Sequence, residues 1–232
     1  MREHITGTCV AAIMLLAGGA QGGLGDDGQT TLVLADSVDD YAGDQGENGW
    51  FYGYYDGDAG ADSFQPGDFE LMNIYDEGAE RWWADGTDEG PITLIDAEFM
   101  HPNAYLSDLR DPSEQWAVRR WISGMDASEV NISVDLSRAN PEFAGDGVVL
   151  RVFIDGLETL AVELFANNDA GLSFDLTTAV SEGTVIDFAI DPIGDALFDA
   201  VRIGAEITTV VPTPGVLAGF GLAGLLAGRR RR

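Results

Sequence analysis

The chain has 232 residues, with 40 acids against 12 basic residues, all of them arginine, and a formal net charge of −28. A body this acidic repels nucleic acid and anionic membrane surfaces, so neither is expected as a partner for it. One cysteine, Cys9, and two histidines, His4 and His101, exclude a disulfide framework and a histidine-rich zinc centre.

Arg2 precedes the apolar run TCVAAIMLLAGG, which meets small residues at Gly18 and Ala20. A short basic start, a short apolar core and a small-x-small cleavage point predict a helical secretory signal peptide over residues 1–20. Its removal takes Cys9 with it and leaves a body without a thiol nucleophile. The remaining ~190 residues suffice for one sizeable core, so residues 26–209 are expected to form one domain.

The first half of that body, residues 26–112, is rich in glycine and aspartate and predicts two or three strands among long loops. Its densest aromatic stretch is NGWFYGYYDGDAGAD, residues 48–62. Sugars stack their C–H faces on aromatic rings while their hydroxyls seek carboxylates and amides, so Trp50, Tyr52, Tyr54 and Asp56 are the candidate glycan platform. The alternative is a strand whose alternate rings fill the core. Asp56, Asp58 and Asp62, spaced D-x-D-x-x-x-D, are candidate ligands for a structural calcium, and Asp191, Asp195 and Asp199 make a second acidic loop of that kind. Solvated turn aspartates are the alternative for both.

Trp82 and Trp83 are adjacent, so on a strand one ring enters the core and the other faces outward. His101 precedes Pro102 in an expected turn and is a poor member of a Ser-His-Asp triad; no catalytic residue is assigned. No phosphate-binding glycine loop or dinucleotide fingerprint follows a strand. The segment DPSEQWAVRRWIS reads equally as a strand or as a short helix capped by Ser113. Within it Arg119 and Arg120 are expected to pair with internal carboxylates, the sharper alternative being a grip on a uronic-acid or sulfated polymer.

In the second half apolar residues alternate with polar ones at 130–136, 160–164, 172–176, 186–190 and 201–207. Period two repeated five times predicts half-buried strands. Turn signals separate them, the strongest being Asp155-Gly156 between VVLRVFI and LETLAVEL, a hairpin signature. The fold class is therefore all-β: a single antiparallel β-sandwich, jelly-roll-like, of about eight to ten strands.

Residues 215–228 carry no charge, and a helix of that length spans only ~21 Å, short of the ~30 Å hydrocarbon core. Four arginines, 229–232, follow this short apolar helix and would stay on the cytoplasmic side. The order Pro212-Thr213-Pro214, glycine-rich apolar helix and terminal arginine cluster resembles the PEP-CTERM sorting signal of bacterial exported proteins, over residues 211–232. Thr213 stands where the common motif has glutamate. The resemblance implies exosortase-type sorting machinery as a partner, processing near Pro212 and Pro214, and a membrane stop set by the cluster that begins with Arg229 and Arg230. It also implies a Gram-negative-type surface rich in extracellular polysaccharide.

In strand pattern and in its aromatic and acidic loops the body is similar to the galactose-binding-type jelly rolls found as carbohydrate-binding modules. The expected function is that of an exported, non-enzymatic surface or matrix protein that binds extracellular polysaccharide. A purely structural surface protein and a glycan-active hydrolase with two carboxylates in a cleft are the alternatives.

Overall fold

The computed structural model describes residues 29–57, 65–85, 92–104, 113–141 and 145–212. The expected signal peptide, Asp58, Asp62 and the tail from Thr213, with Pro214, Arg229 and Arg230, lie outside the described residues. Residues 31–211 form one compact unit; a second takes residues 1–30 and 212–232, of which only Gln29, Thr30 and Pro212 are described. Among the described residues no helix is long and apolar enough to cross a membrane.

Fourteen strands follow in chain order: β1 (Gln29–Asp36), β2 (Trp50–Asp56), β3 (Glu70–Leu71), β4 (Ile74–Asp76), β5 (Arg81–Trp83), β6 (Leu94–Ile95) and β7 (Phe99–His101). The second seven are β8 (Gln115–Ile122), β9 (Ala127–Arg138), β10 (Gly147–Ile154), β11 (Leu157–Phe165), β12 (Leu172–Val180), β13 (Val185–Pro192) and β14 (Val201–Pro212). The last eight pair as nested antiparallel couples: β7 with β14, β8 with β13, β9 with β12 and β10 with β11. Successive couples alternate between two sheets, giving the orders β12-β9-β14-β7 and β11-β10-β13-β8. That nesting is a jelly roll. Strands β4 to β6 extend the first sheet beyond β7, β1 joins it along β14, and β2 and β3 extend the second beyond β8.

Local chemistry explains the elements. Asp155 and Gly156 both take left-handed backbone, φ 50 and 82, which the tight β10–β11 hairpin requires. Residues 115–122 form a strand, which corrects the helical alternative for this segment. Ala117, Arg119 and Trp121 point between the sheets while Trp116, Val118 and Arg120 point to the outer face, and all six are buried. A strand covered on both sides shows no polar alternation, hence the ambiguity in sequence.

The core lies between the sheets. Val130, Ile132, Val134 and Leu136 of β9, with Ile203, Ala205 and Ile207 of β14, pack against Leu150, Val152, Ile186, Phe188 and Ile190 of β10 and β13. A smaller cluster on the outer face of the second sheet joins Tyr55, Trp116, Val118, Phe153 and Ala189.

Candidate functional site

β2 turns Trp50 and Tyr52 into the core. Trp50 and Tyr52 are 0% exposed, the first against Phe188 and the second stacked on Trp82. Neither ring offers a face to a sugar, so the expected platform of Trp50, Tyr52, Tyr54 and Asp56 is not assembled on the surface. Trp50 and Tyr52 share the face of β2 that packs into the core. Tyr54 is half-buried and donates its hydroxyl to Glu70 Oε2 at 2.8 Å, and burial followed by that carboxylate pushes its pKa up to about 12. Asp56 is exposed at the end of β2. Among the described residues no three His, Cys, Asp or Glu side chains stand together as a metal cluster.

The adjacent arginines face opposite ways. Arg120 meets Asp187 through Nε (2.7 Å) and Nη2 (2.9 Å), with its guanidinium 4.0 Å over Phe69. Tyr55 donates its hydroxyl to the same carboxylate at 2.5 Å, and burial and Asp187 push the phenol well above its ordinary range. This is the internal pairing expected of the pair. Arg119 instead enters the core and gives its Nη donors to Ser37 O and Oγ, Asp96 O and Ala97 O, at 2.5 to 3.1 Å. Burial drives its pKa down to about 10.

The aromatic cluster beneath β2 surfaces on the first sheet. Tyr52 is stacked on Trp82; Tyr41 packs edge-on against Tyr52 at 5.0 Å, and Tyr75 meets Trp82 at 5.0 Å. Of the Trp82 and Trp83 pair, Trp82 is core and Trp83 half-buried, as their adjacency on β5 dictates. Tyr41 and Tyr75, both half-buried, line a groove of about 520 Å³ with Glu80, Asp96, Glu98 and Phe99. Tyr41 is fixed by its hydroxyl, which reaches the carbonyls of Glu80 and Ile95, each at 3.1 Å. Tyr75 lies flat on Gly43, where any Cβ would come within 2.6 Å of the ring.

Glu98 closes this groove by pairing with Arg202 at 2.5 Å, and Arg202 rides 4.2 Å over the Phe99 ring. Beyond that pair lies a second groove of about 360 Å³, lined by Asp135, Ser137, Ser173 and Gly204 among others. Rings and carboxylates line the first groove and carboxylates and hydroxyls the second, which suits stacking and hydrogen bonding with a hydroxyl-rich ligand. Sequence reasoning missed Tyr41, Tyr75, Glu98, Phe99 and Arg202, which come from four separate segments. The one local signal was Tyr75 in NIYDEGAERWW, a turn away from the tryptophan pair.

No family model matches the chain, and no curated protein does. Among solved structures it is similar to a family 51 carbohydrate-binding module from Clostridium perfringens in complex with methyl-galactose, at 10% identity and a TM-score of 0.30, covering 47% of this chain and 79% of that one. The K3 cleaved adhesin domain of Lys-gingipain from Porphyromonas gingivalis matches at 10% identity and a TM-score of 0.34, over 77% of this chain and 98% of that one. A family 35 carbohydrate-binding module from Clostridium thermocellum matches at 6% identity and a TM-score of 0.29, over 40% and 69%. No residue of this chain takes a role from them.

Proposed function

We propose that the chain is an exported, surface-associated β-sandwich that binds extracellular polysaccharide without acting on it, and that the groove of Tyr41, Tyr75 and Phe99 is its glycan platform. The observation that carries this reading is the Tyr75 ring, laid against Gly43 and ringed by Glu80, Asp96 and Glu98. A ring fixed in advance costs little entropy on stacking a sugar, and the carboxylates accept the sugar's hydroxyls. With a formal net charge of −28 the chain disfavours polyanions, so the preferred polymer is neutral. The adjoining groove beyond Glu98 and Arg202 lengthens the track to suit a chain rather than a single sugar.

Export and sorting rest on the leader and on the tail's resemblance to a PEP-CTERM signal, with exosortase-type machinery acting near Pro212 and Pro214 after the membrane stop at Arg229 and Arg230. The test of the binding reading is retention on neutral and acidic exopolysaccharides immobilised side by side. Saturable retention on a neutral polymer, weakened at least tenfold by Tyr75→Ala, supports it. No retention on any polymer overturns it and leaves a structural surface protein.

A further inference from the structure

We infer that the Glu98–Arg202 ion pair is a displaceable partition between the two grooves, opened by a neutral polymer that lies across both. The inference rests on the glycan reading of the grooves and adds how their continuity is controlled. Glu98 lines both grooves, Phe99 the first and Arg202 the second, so the pair stands on their boundary. Closed, it does two things. It walls one groove from the other, and it lays the Arg202 guanidinium 4.2 Å over the Phe99 ring, covering a face that a sugar needs for stacking.

The backbone beneath the pair is fixed. Arg202 is the direct cross-strand partner of Phe99, and the Ile203 N–H donates to the Glu98 carbonyl at 2.9 Å. The turn into β7 is held by Asp96 Oδ1, which accepts from the N–H groups of Glu98 and Phe99 at 3.1 and 2.8 Å. Arg119 pins the same turn from the core through the Asp96 and Ala97 carbonyls. Opening therefore falls to the two side chains. Both are largely in solvent, Arg202 49% and Glu98 56% exposed, and such side chains change rotamer within nanoseconds. Room for Arg202 to turn lies along β14 at Gly204, where among the described residues a Cβ would meet only Val38 Cγ2, at an ordinary 3.8 Å. Asp135, paired with Gly204 across β9 and β14, offers the guanidinium a second carboxylate on that side.

The balance of forces favours displacement. An exposed ion pair and an exposed cation–π contact are each weak, and the polymer replaces them with stacking on Phe99 and with its own hydroxyls on Glu98 and Arg202. Salt screens the pair but leaves contacts to an uncharged sugar untouched. Binding of a neutral polymer should thus strengthen as ionic strength rises.

The test is calorimetric titration of the parent, Arg202→Gln and Arg202→Lys with the neutral polymer that the parent retains best, and with short oligomers cut from it. Each is run at about 0.05 and about 0.5 M sodium chloride. Arg202→Gln should bind the intact polymer on the order of two- to tenfold more tightly than the parent at low salt, and should lose the salt effect. Arg202→Lys, which still pairs with Glu98, should keep it. Oligomers confined to one groove should gain less than the polymer, since only the polymer crosses the boundary. If the parent binds and Arg202→Gln binds no more tightly, the partition is overturned, and a weaker variant would make Arg202 a contact of the polymer instead. Equal gains for oligomer and polymer would overturn it as well. A parent that binds no polymer at either salt overturns the glycan reading itself, and the partition with it.

Discussion

Tyr52 lies stacked on Trp82, ring centroids 5.9 Å and planes 17° apart, and the two rings form the floor beneath Tyr41 and Tyr75. Inner and outer tyrosines should therefore fail in different ways. Tyr52→Ala removes a fully buried ring and its acceptor for the Ala42 N–H, and should cost about 3–5 kcal/mol of stability. Tyr75→Ala should cost about 1 kcal/mol or less beyond the exposed half of its surface, yet lose polysaccharide retention. Urea denaturation run beside a polymer pull-down separates the two, and equal stability losses would refute the division.

How much of this was legible in the sequence depends on how local each feature is. Strands β9, β11, β12, β13 and β14 were legible because each alternates within a few residues in sequence, and β10 with its turn because Asp155-Gly156 is a two-residue hairpin signal. The shared face of Trp50 and Tyr52 was legible too, but alternation says which residues lie together and never which side is the core. Burial on both faces hid β8. The groove was not legible at all: Tyr41, Tyr75, Phe99 and Arg202 meet only because β14 pairs with β7 and β4 to β6 pack alongside.

Arg119 forms no ion pair among the described residues, yet it should prove sensitive to substitution. Its guanidinium satisfies oxygens of Ser37, Asp96 and Ala97, three points on the first sheet's side reached from β8 of the second. Arg119→Met keeps the length of the stem but leaves the buried Ser37 carbonyl and the partly buried Asp96 and Ala97 carbonyls without this donor, at about 1–3 kcal/mol for each one left unsatisfied. The expected loss is about 3–5 kcal/mol, with Arg119→Lys losing less because an ammonium still donates to some of them. Chemical denaturation of the two variants checks the order; a Met variant as stable as the parent would show that water replaces the guanidinium.

The sorting proposal makes a prediction that does not involve the sandwich. Fusion of residues 211–232 to an exported reporter should deliver it through a membrane-bound intermediate to the cell surface in a host with the sorting machinery. Replacing Pro212 and Pro214 by alanine should hold the reporter at the intermediate, and replacing the four terminal arginines should release it without stopping in the membrane. Fractionation and the mass of the mature C-terminus read the outcome; unchanged processing in both variants would refute the assignment.

Asp199 predicts a pH dependence of stability. Its pKa rises from the ordinary 3.8 to about 8, burial first and Asp146 second, so the folded protein keeps a proton that the unfolded chain gives up. Below pH ~4 both states are protonated; between pH ~4 and ~8 the native state binds more protons, and stability falls as pH rises. Asp191, pushed up to about 6 mainly by burial, adds a smaller effect of the same sign between pH ~4 and ~6. General repulsion within so acidic a chain also grows over this range, so the informative quantity is the difference from Asp199→Asn. That variant should flatten the fall by something on the order of 3 kcal/mol between pH 5 and 9. Parallel melting curves for parent and variant across the range would mean that Asp199 is ionised and satisfied in the native state.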